Sequence, residues 1–309
     1  MALTFTRDTD VYVLYQSNYY KLHLSNIEFS QTFQQDGIEQ KTLDAPQNLI
    51  ERSSITKANP ANFSITIPMV DESSVYQHIL LKLLLTNTGS TLESFTLFID
   101  PSTSDQPSNT RKMYQLSNCV LTSGSFQISR NALMKIEFNG QASQLTRVNH
   151  SAFNIGSYTS FENLTYAVSK VTSVFIDNNI LENVFGVALE IQNDIEWIEN
   201  NTLQNSLGIT SYTQTTYPNA FVMTGRSVAG SISQYVGQAE RSYANIQTWK
   251  ENIEIRIKSG LAADNFQLNA HFTPCSFTNR VQPTEIYSQA YDYRLIGHPT
   301  NLNNSITYI

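Results

Sequence analysis

The chain has 309 residues, 40% of them hydrophobic and only 15% charged, with a formal net charge of -7. That length exceeds the usual single domain and predicts two domains, each with its own core. So little charge predicts a surface covered in an assembly, and the acidic balance excludes a protein that grips nucleic acid, which needs a concentrated Lys/Arg surface.

The chain is rich in Asn, Ser, Thr and Gln, with 16 Tyr and 16 Phe, a bias that suits pleated strands and uncharged polar interfaces. A mainly β fold follows. Cys119 and Cys275 lie far apart and outside any CxxC pairing, which argues against a disulfide scaffold or a thiol-ligated zinc site. They read as small strand residues in a reducing cytoplasm. Met1 to Asp8 lacks a basic segment followed by an apolar run, and no stretch is long enough to span a bilayer. Synthesis in the cytoplasm and no membrane insertion by this chain are therefore expected.

In chain order, Val11, Val13 and Tyr15 alternate as a strand does, a polar Ser17-Asn18 turn follows, and Leu22, Leu24, Ile27 and Phe29 continue an antiparallel sheet. Gln31 to Asn62 is a long polar stretch, predicted as a functional or disordered loop, before Phe63, Ile65 and Ile67 resume alternation. Asp71 is placed to cap a helix over Glu72 to Leu85, where Val75, Tyr76, Ile79, Leu80, Leu83 and Leu84 recur at helical spacing. Strands are predicted at Ser94 to Ile99, Gln115 to Phe126 and Asn131 to Phe138.

A second unit begins near Phe161, where Tyr166, Val168, Val171, Val174 and Ile176 lead to the strand Val184 to Gln192. Internal similarity supports a duplication. Gln115 to Phe126 resembles Gln267 to Phe277, Ile27 to Ser30 resembles Leu189 to Gln192, and Arg52 to Ile55 resembles Arg226 to Ala229, in the same order along each unit.

Chemistry-bearing motifs are absent. None of the histidines, at positions 23, 78, 150, 271 and 298, has metal-ligand spacing to another His, Cys or acid; His78 is assigned to the polar side of the helix and His298 to a terminal loop. Gly225 to Gly230 resembles a phosphate loop only in outline, since it lacks the Lys and its flanks read as strands. No catalytic, cofactor-binding or metal-binding residue is assigned. Glu28 and Glu190 fall in separate units, so an acid–base pair is not expected. Their apolar neighbours Ile27, Phe29, Leu189 and Ile191 turn both carboxylates away from the core.

The run Val184 to Ile195, followed by Gly225-Arg226-Ser227-Val228-Ala229-Gly230-Ser231-Ile232, resembles the tail tube proteins of long-tailed bacteriophages. Ile27 to Phe33 and Arg52 to Ile67 resemble them too. The resemblance implies two tandem tube-like antiparallel β-sandwich or barrel domains, residues 1-160 and 161-309, each with a flanking helix. It implies a structural subunit and not an enzyme, whose sheets join those of neighbours into rings stacked as a DNA-conducting channel in the virion tail. Six such folds per ring imply a trimer with pseudo-sixfold symmetry.

The inter-ring loop implied by the resemblance is Gln34 to Ser53, with Gln34, Gln35, Asp36, Glu39, Lys41, Asp44, Asn48 and Glu51 as candidate contacts. Asn200 to Met223 offers a second. Glu28 and Glu190 are the lumen-facing candidates, placed to repel passing double-stranded DNA. The implied partners are further copies of the chain and other tail proteins: terminator, tip or baseplate, and tape measure. A tail-tip hub or adaptor is an alternative within the same resemblance. A carbohydrate- or receptor-binding β-sandwich, suggested by the many tyrosines, and a β-rich hydrolase with a dispersed site are the alternatives outside it.

Overall fold

A computed structural model describes residues 9–42, 45–68, 75–88, 91–101, 111–129, 132, 134–150, 158–159, 172–198, 217–236, 249–259, 268–282, 285–297, 302 and 305–308. In chain order the first half supplies β1 (Thr9–Tyr15), β2 (Asn18–Leu22), β3 (Asn26–Ser30), β4 (Phe33–Thr42), β5 (Ala45–Ala58), β6 (Ala61–Pro68) and the helix α1 (Val75–Leu85). There follow β7 (Asn87–Thr88), β8 (Thr91–Leu92), β9 (Phe95–Pro101), β10 (Lys112–Ser129), β11 (Lys135–Ala142), β12 (Gln144–Asn149) and β13 (Tyr158–Thr159). The second half supplies β14 (Thr172–Ile176), β15 (Asn179–Leu181), β16 (Val184–Ile198), β17 (Ala220–Tyr235), β18 (Trp249–Ser259), β19 (Leu268–Gln282), β20 (Ser288–Leu295) and β21 (Ile306–Tyr308).

The fold is mainly β, a large and almost wholly antiparallel barrel-like sheet with one short helix among the described residues. The expected helix of the second unit has no counterpart there. Asp71, Tyr166, Val168 and Val171 lie outside the described residues, as do the side chain of His78 and all of His298.

Two long strands organise the sheet. The first part of β10 runs between β9 and β12, while its second part runs between β11 and β16. The change of partners occurs at Asn118, whose φ of 53 puts it in the left-handed region, and the ladder registers shift on either side of it. An extra residue of this kind bends a strand and raises its twist, which lets one strand serve two sections of sheet. Likewise β19 pairs with β18 and β21 in its first part and with β20 in its second.

On the first section the order is β2, β1, β9, β10, β12, and its counterpart in the second half is β15, β14, β18, β19, β21. On the other section the order is β3, β6, β11, β10, then directly β16, β17, β20, β19. The β1–β2 turn at Gln16-Ser17 and the β14–β15 turn at Asp177-Asn178 both use positive φ at two successive residues. That geometry matches the right-handed twist of hairpin strands.

Alternation explains the packing. Phe63, Ile65 and Ile67 on β6 are buried beside Ile136 and Phe138 on β11, while Ser64, Thr66 and Glu137 point the other way. Instead of the two separate cores expected from length, the buried apolar residues of both halves form one connected cluster, from Val11 to Ile306. The physical reason is the direct pairing of β10 with β16, which leaves no break in the sheet where two cores would divide. Tyr12, Phe98 and Met113 form a smaller cluster on the opposite face of the first section.

The polar stretch expected as a loop is a hairpin. Strands β4 and β5 pair with each other over a register running from Phe33↔Ala58 to Thr42↔Ala45, and with no other described strand. Helix α1 ends at Leu85 as predicted, and Ile79, Leu80, Leu81, Leu83, Leu84 and Leu85 are all buried. Burial of nearly the whole circumference marks a helix held inside the fold rather than lying on its surface.

Candidate assembly interface

The surfaces that matter for an assembling β protein are its strand edges, its projecting hairpins and the outward face of its sheet. Each can be traced to particular residues.

The seam between β10 and β16 comes first. Seven residue pairs join the halves, from Ser123↔Gln192 to Ser129↔Gly186. Beneath the seam, Gly124 lies so close to Leu84 of α1 that an added Cβ would sit 2.4 Å from the leucine Cδ2. The helix is thereby seated directly on the joint.

At the end of that helix stands the most buried cation described. Arg226 on β17 is 3% exposed and donates from Nη1 to the Leu85 carbonyl at 2.8 Å, from Nη2 to the Leu84 carbonyl at 3.0 Å, and from Nε to Asn193 Oδ1 at 2.6 Å. Asn193 on β16 in turn donates to the carbonyls of Leu84 and Leu121. The last carbonyls of a helix have no intrahelical partner and carry partial negative charge, so a guanidinium there satisfies both needs. Burial lowers the Arg226 guanidinium to about 10 from its usual range, and it still carries its proton at neutral pH. Sequence reasoning placed Arg226 in a family motif and gave it no role. The available signal was parity: Arg226 and Asn193 share the buried side with Val228 and with Leu189 and Ile191.

The outer edge at β3 contrasts with this seam. Its burial alternates between exposed and half-buried, and β6 is its only paired strand among the described residues. Beside it a groove of about 380 Å³ runs along the outward face, lined by Glu28, Ser30, Asn62, Ser64, Asn139 and Gln141.

Both lumen candidates lie on that outward face. The register passes from Glu28 through Ser64, Asn139 and Ser123 to Gln192, and Glu190 lies two residues along the same strand. Four strand spacings separate β3 from β16, about 19 Å, which is too far for acid–base chemistry between the two carboxylates. The residues between and beside them are mostly small and uncharged, including Ser125, Ala188, Ser227, Ala229 and Ser231.

Of the hairpin candidates, Gln34, Gln35, Asp36, Glu39 and Lys41 lie on β4, and Asn48 and Glu51 on β5; Gln34 is exposed, and Asp44 lies outside the described residues. Its base is fixed by backbone and amide hydrogen bonds. Asn59 N donates to the Thr32 carbonyl at 3.0 Å, Gln31 Nε2 to the Asn59 carbonyl at 2.9 Å, and Leu145 N to Gln31 Oε1 at 2.9 Å. Phe33 at this base meets Tyr217, ring centroids 6.3 Å apart, near the start of β17. Trp197, near the far end of β16, donates from Nε1 to Gln141 Oε1 at 2.8 Å. Of the second loop candidate, Asn200 to Met223, residues 217–223 are described and enter β17 at this same rim.

Elsewhere polar clusters tie strands together. Asp100 accepts two hydrogen bonds from Arg111, 2.9 and 2.8 Å, and lies 3.3 Å from His150 Nε2, joining the ends of β9, β10 and β12. His271 lies 2.7 Å from Glu254 across β18 and β19. Cys119 and Cys275 are both free and buried; burial raises both thiols, that of Cys275 to about 12, so neither is a thiolate at neutral pH. Among the described residues no group of three or more His, Cys, Asp or Glu is arranged to hold a metal ion.

A sheet with polar edges, a projecting hairpin and small uncharged residues on its face is assembly architecture, and comparison with known families agrees. The profile of the Bacteriophage Baseplate Tube Protein Family matches residues 1–308. The chain belongs to this family. It is thus a phage baseplate tube protein, a structural component of the tail tube and baseplate. No curated protein sequence matches the chain. Among solved structures, the baseplate tube protein is similar to a chain of the anti-feeding prophage baseplate, with TM-score 0.36 and 8% identity over 48% of this chain and 98% of that one. It is also similar to a chain of the sheath/tube terminator of an extracellular contractile injection system, with TM-score 0.36 and 12% identity over the same shares. A third is a chain of the anti-feeding prophage tube-terminating cap, with TM-score 0.35 and 13% identity over 48% and 93%.

Proposed function

We propose that the chain forms rings that conduct DNA through a phage tail, each chain contributing two tandem tube-like units, 1-160 and 161-309. The observation that carries this reading is the recurrence of strand order. The order β3, β6, β11, β10 is followed by β16, β17, β20, β19, the last strand of one set pairing with the first of the next. An interface that joins the end of one unit to the start of the next is heterologous, and repeated through a closing rotation it makes a ring. With six units per ring, as in the tubes that the sequence resembles, three chains close it.

The outward face carrying Glu28 and Glu190 then lines the lumen, where small uncharged residues and scattered carboxylates let double-stranded DNA pass without being held. The β4–β5 hairpin, which pairs only with itself, reaches the next ring. The tube end meets other tail proteins in the virion, after assembly in the host cytoplasm. Membership of a baseplate tube family favours a second reading within the same architecture, a hub or adaptor ring at the tail tip that is capped by different partners on its two faces.

Electron microscopy of the purified protein tests the proposal. Rings or stacked tubes are expected, with a mass per ring of three chains; a dispersed monomer at high concentration contradicts it. Tubes favour the main reading, and single rings that do not stack favour the hub.

A further inference from the structure

The two ends of the repeated strand order identify how neighbouring chains meet. We propose that the free edge of β3 pairs with the end of β19 from a second copy of this chain, Asn279 to Gln282, reproducing between chains the seam that β10 and β16 make within one. This rests on the ring reading above and adds the edges and residues that close it.

Three observations carry it. The first is positional. Strand β16 pairs with β17, which pairs with β20, and β3 pairs with β6, which pairs with β11; each therefore stands at the start of a four-strand order. Strands β10 and β19 stand at the two ends of those orders and share the same bent course between two sections of sheet. Because the first end already grips the second start, the remaining end fits the remaining start, and the interface continues one already present in the molecule.

The second is availability. Strand β18 reaches only to Trp249 opposite Thr278, so Asn279 to Gln282 have β20 on one side and no paired strand on the other among the described residues. The same holds for the outer side of β3. An unpaired row of backbone groups is a template for strand addition.

The third is charge. Glu28 is exposed on the outward face of β3, and Arg280, with a side chain 61% exposed, is on the outward face of β19, on the same side as its partner Asp292. Opposite charges on one face of adjoining strands favour the pairing, and like charges oppose it.

The test uses the full chain carrying Glu28→Cys and Arg280→Cys together, assembled and treated with a short bismaleimide; the native cysteines are buried and stay out of the reaction. A ladder beyond the dimer on a denaturing gel, from the double variant only, is expected, because each chain then links on both sides. Rings that form normally and give no ladder overturn the edge assignment while leaving the ring reading intact; absence of any rings from the wild-type chain overturns both. Charge reversal supplies a second arm. Glu28→Arg or Arg280→Glu alone should raise the concentration needed for ring assembly about fivefold, and the double reversal should restore it. Equal assembly by all four proteins would count against the contact.

Discussion

The in-chain seam and the outer edge of β3 are two versions of one kind of strand border, finished differently. At the seam, seven pairs, a helix seated over Gly124 and the Arg226–Asn193 hydrogen bonds fix the joint from below. At β3 there are five residues with one partner strand, and the groove beside them is polar and open. The difference teaches that the chain commits permanently to one joint and leaves the other to be made by association. A joint with a buried cation is held during folding; a short, uncharged edge is kept soluble until a neighbour covers it.

That contrast can be broken at several points. Arg226→Ala removes the donor to two helix-end carbonyls and to Asn193, leaving buried acceptors without partners, and should lower folding stability by about 3 kcal/mol in urea titration. A loss under about 0.5 kcal/mol would show that the latch contributes little. Gly124→Val forces Leu84 off the seam and should cost about 2 kcal/mol by the same measurement, with the helix signal weakened in circular dichroism. At the edge, the expected changes are in assembly and not in folding. Deleting Gln34 to Ser53 should leave the unfolding midpoint within the range of a surface change, because β4 and β5 pair only with each other, yet it should stop rings from stacking. Tubes of normal length from the deletion variant would refute the role assigned to the hairpin.

Much of the sheet was legible because alternation is a strong signal where one face is buried. Val11, Val13 and Tyr15 are all buried as read, and Glu28 and Glu190 do point outward on one shared face. The end of α1 at Leu85 was legible from its leucine spacing. The hairpin was not legible from the pattern, because β4 and β5 bury no common face against the core and so carry no period of two. Strand β18 went unread although Ile253, Ile255 and Ile257 alternate, since Asn252 with a φ of 58 and the register shifts interrupt the run. The single connected core could not be read from length, because whether two halves share a sheet depends on edge pairing that composition does not encode.

The most direct measurement of the central claim is a density map of the assembled particle at a resolution that separates strands. The account predicts three chains per ring and an unbroken sheet around the lumen, in which an in-chain β10–β16 joint alternates with a β19–β3 joint between chains. Six chains per ring, or a lumen lined by anything other than the Glu28 and Glu190 face, would contradict it.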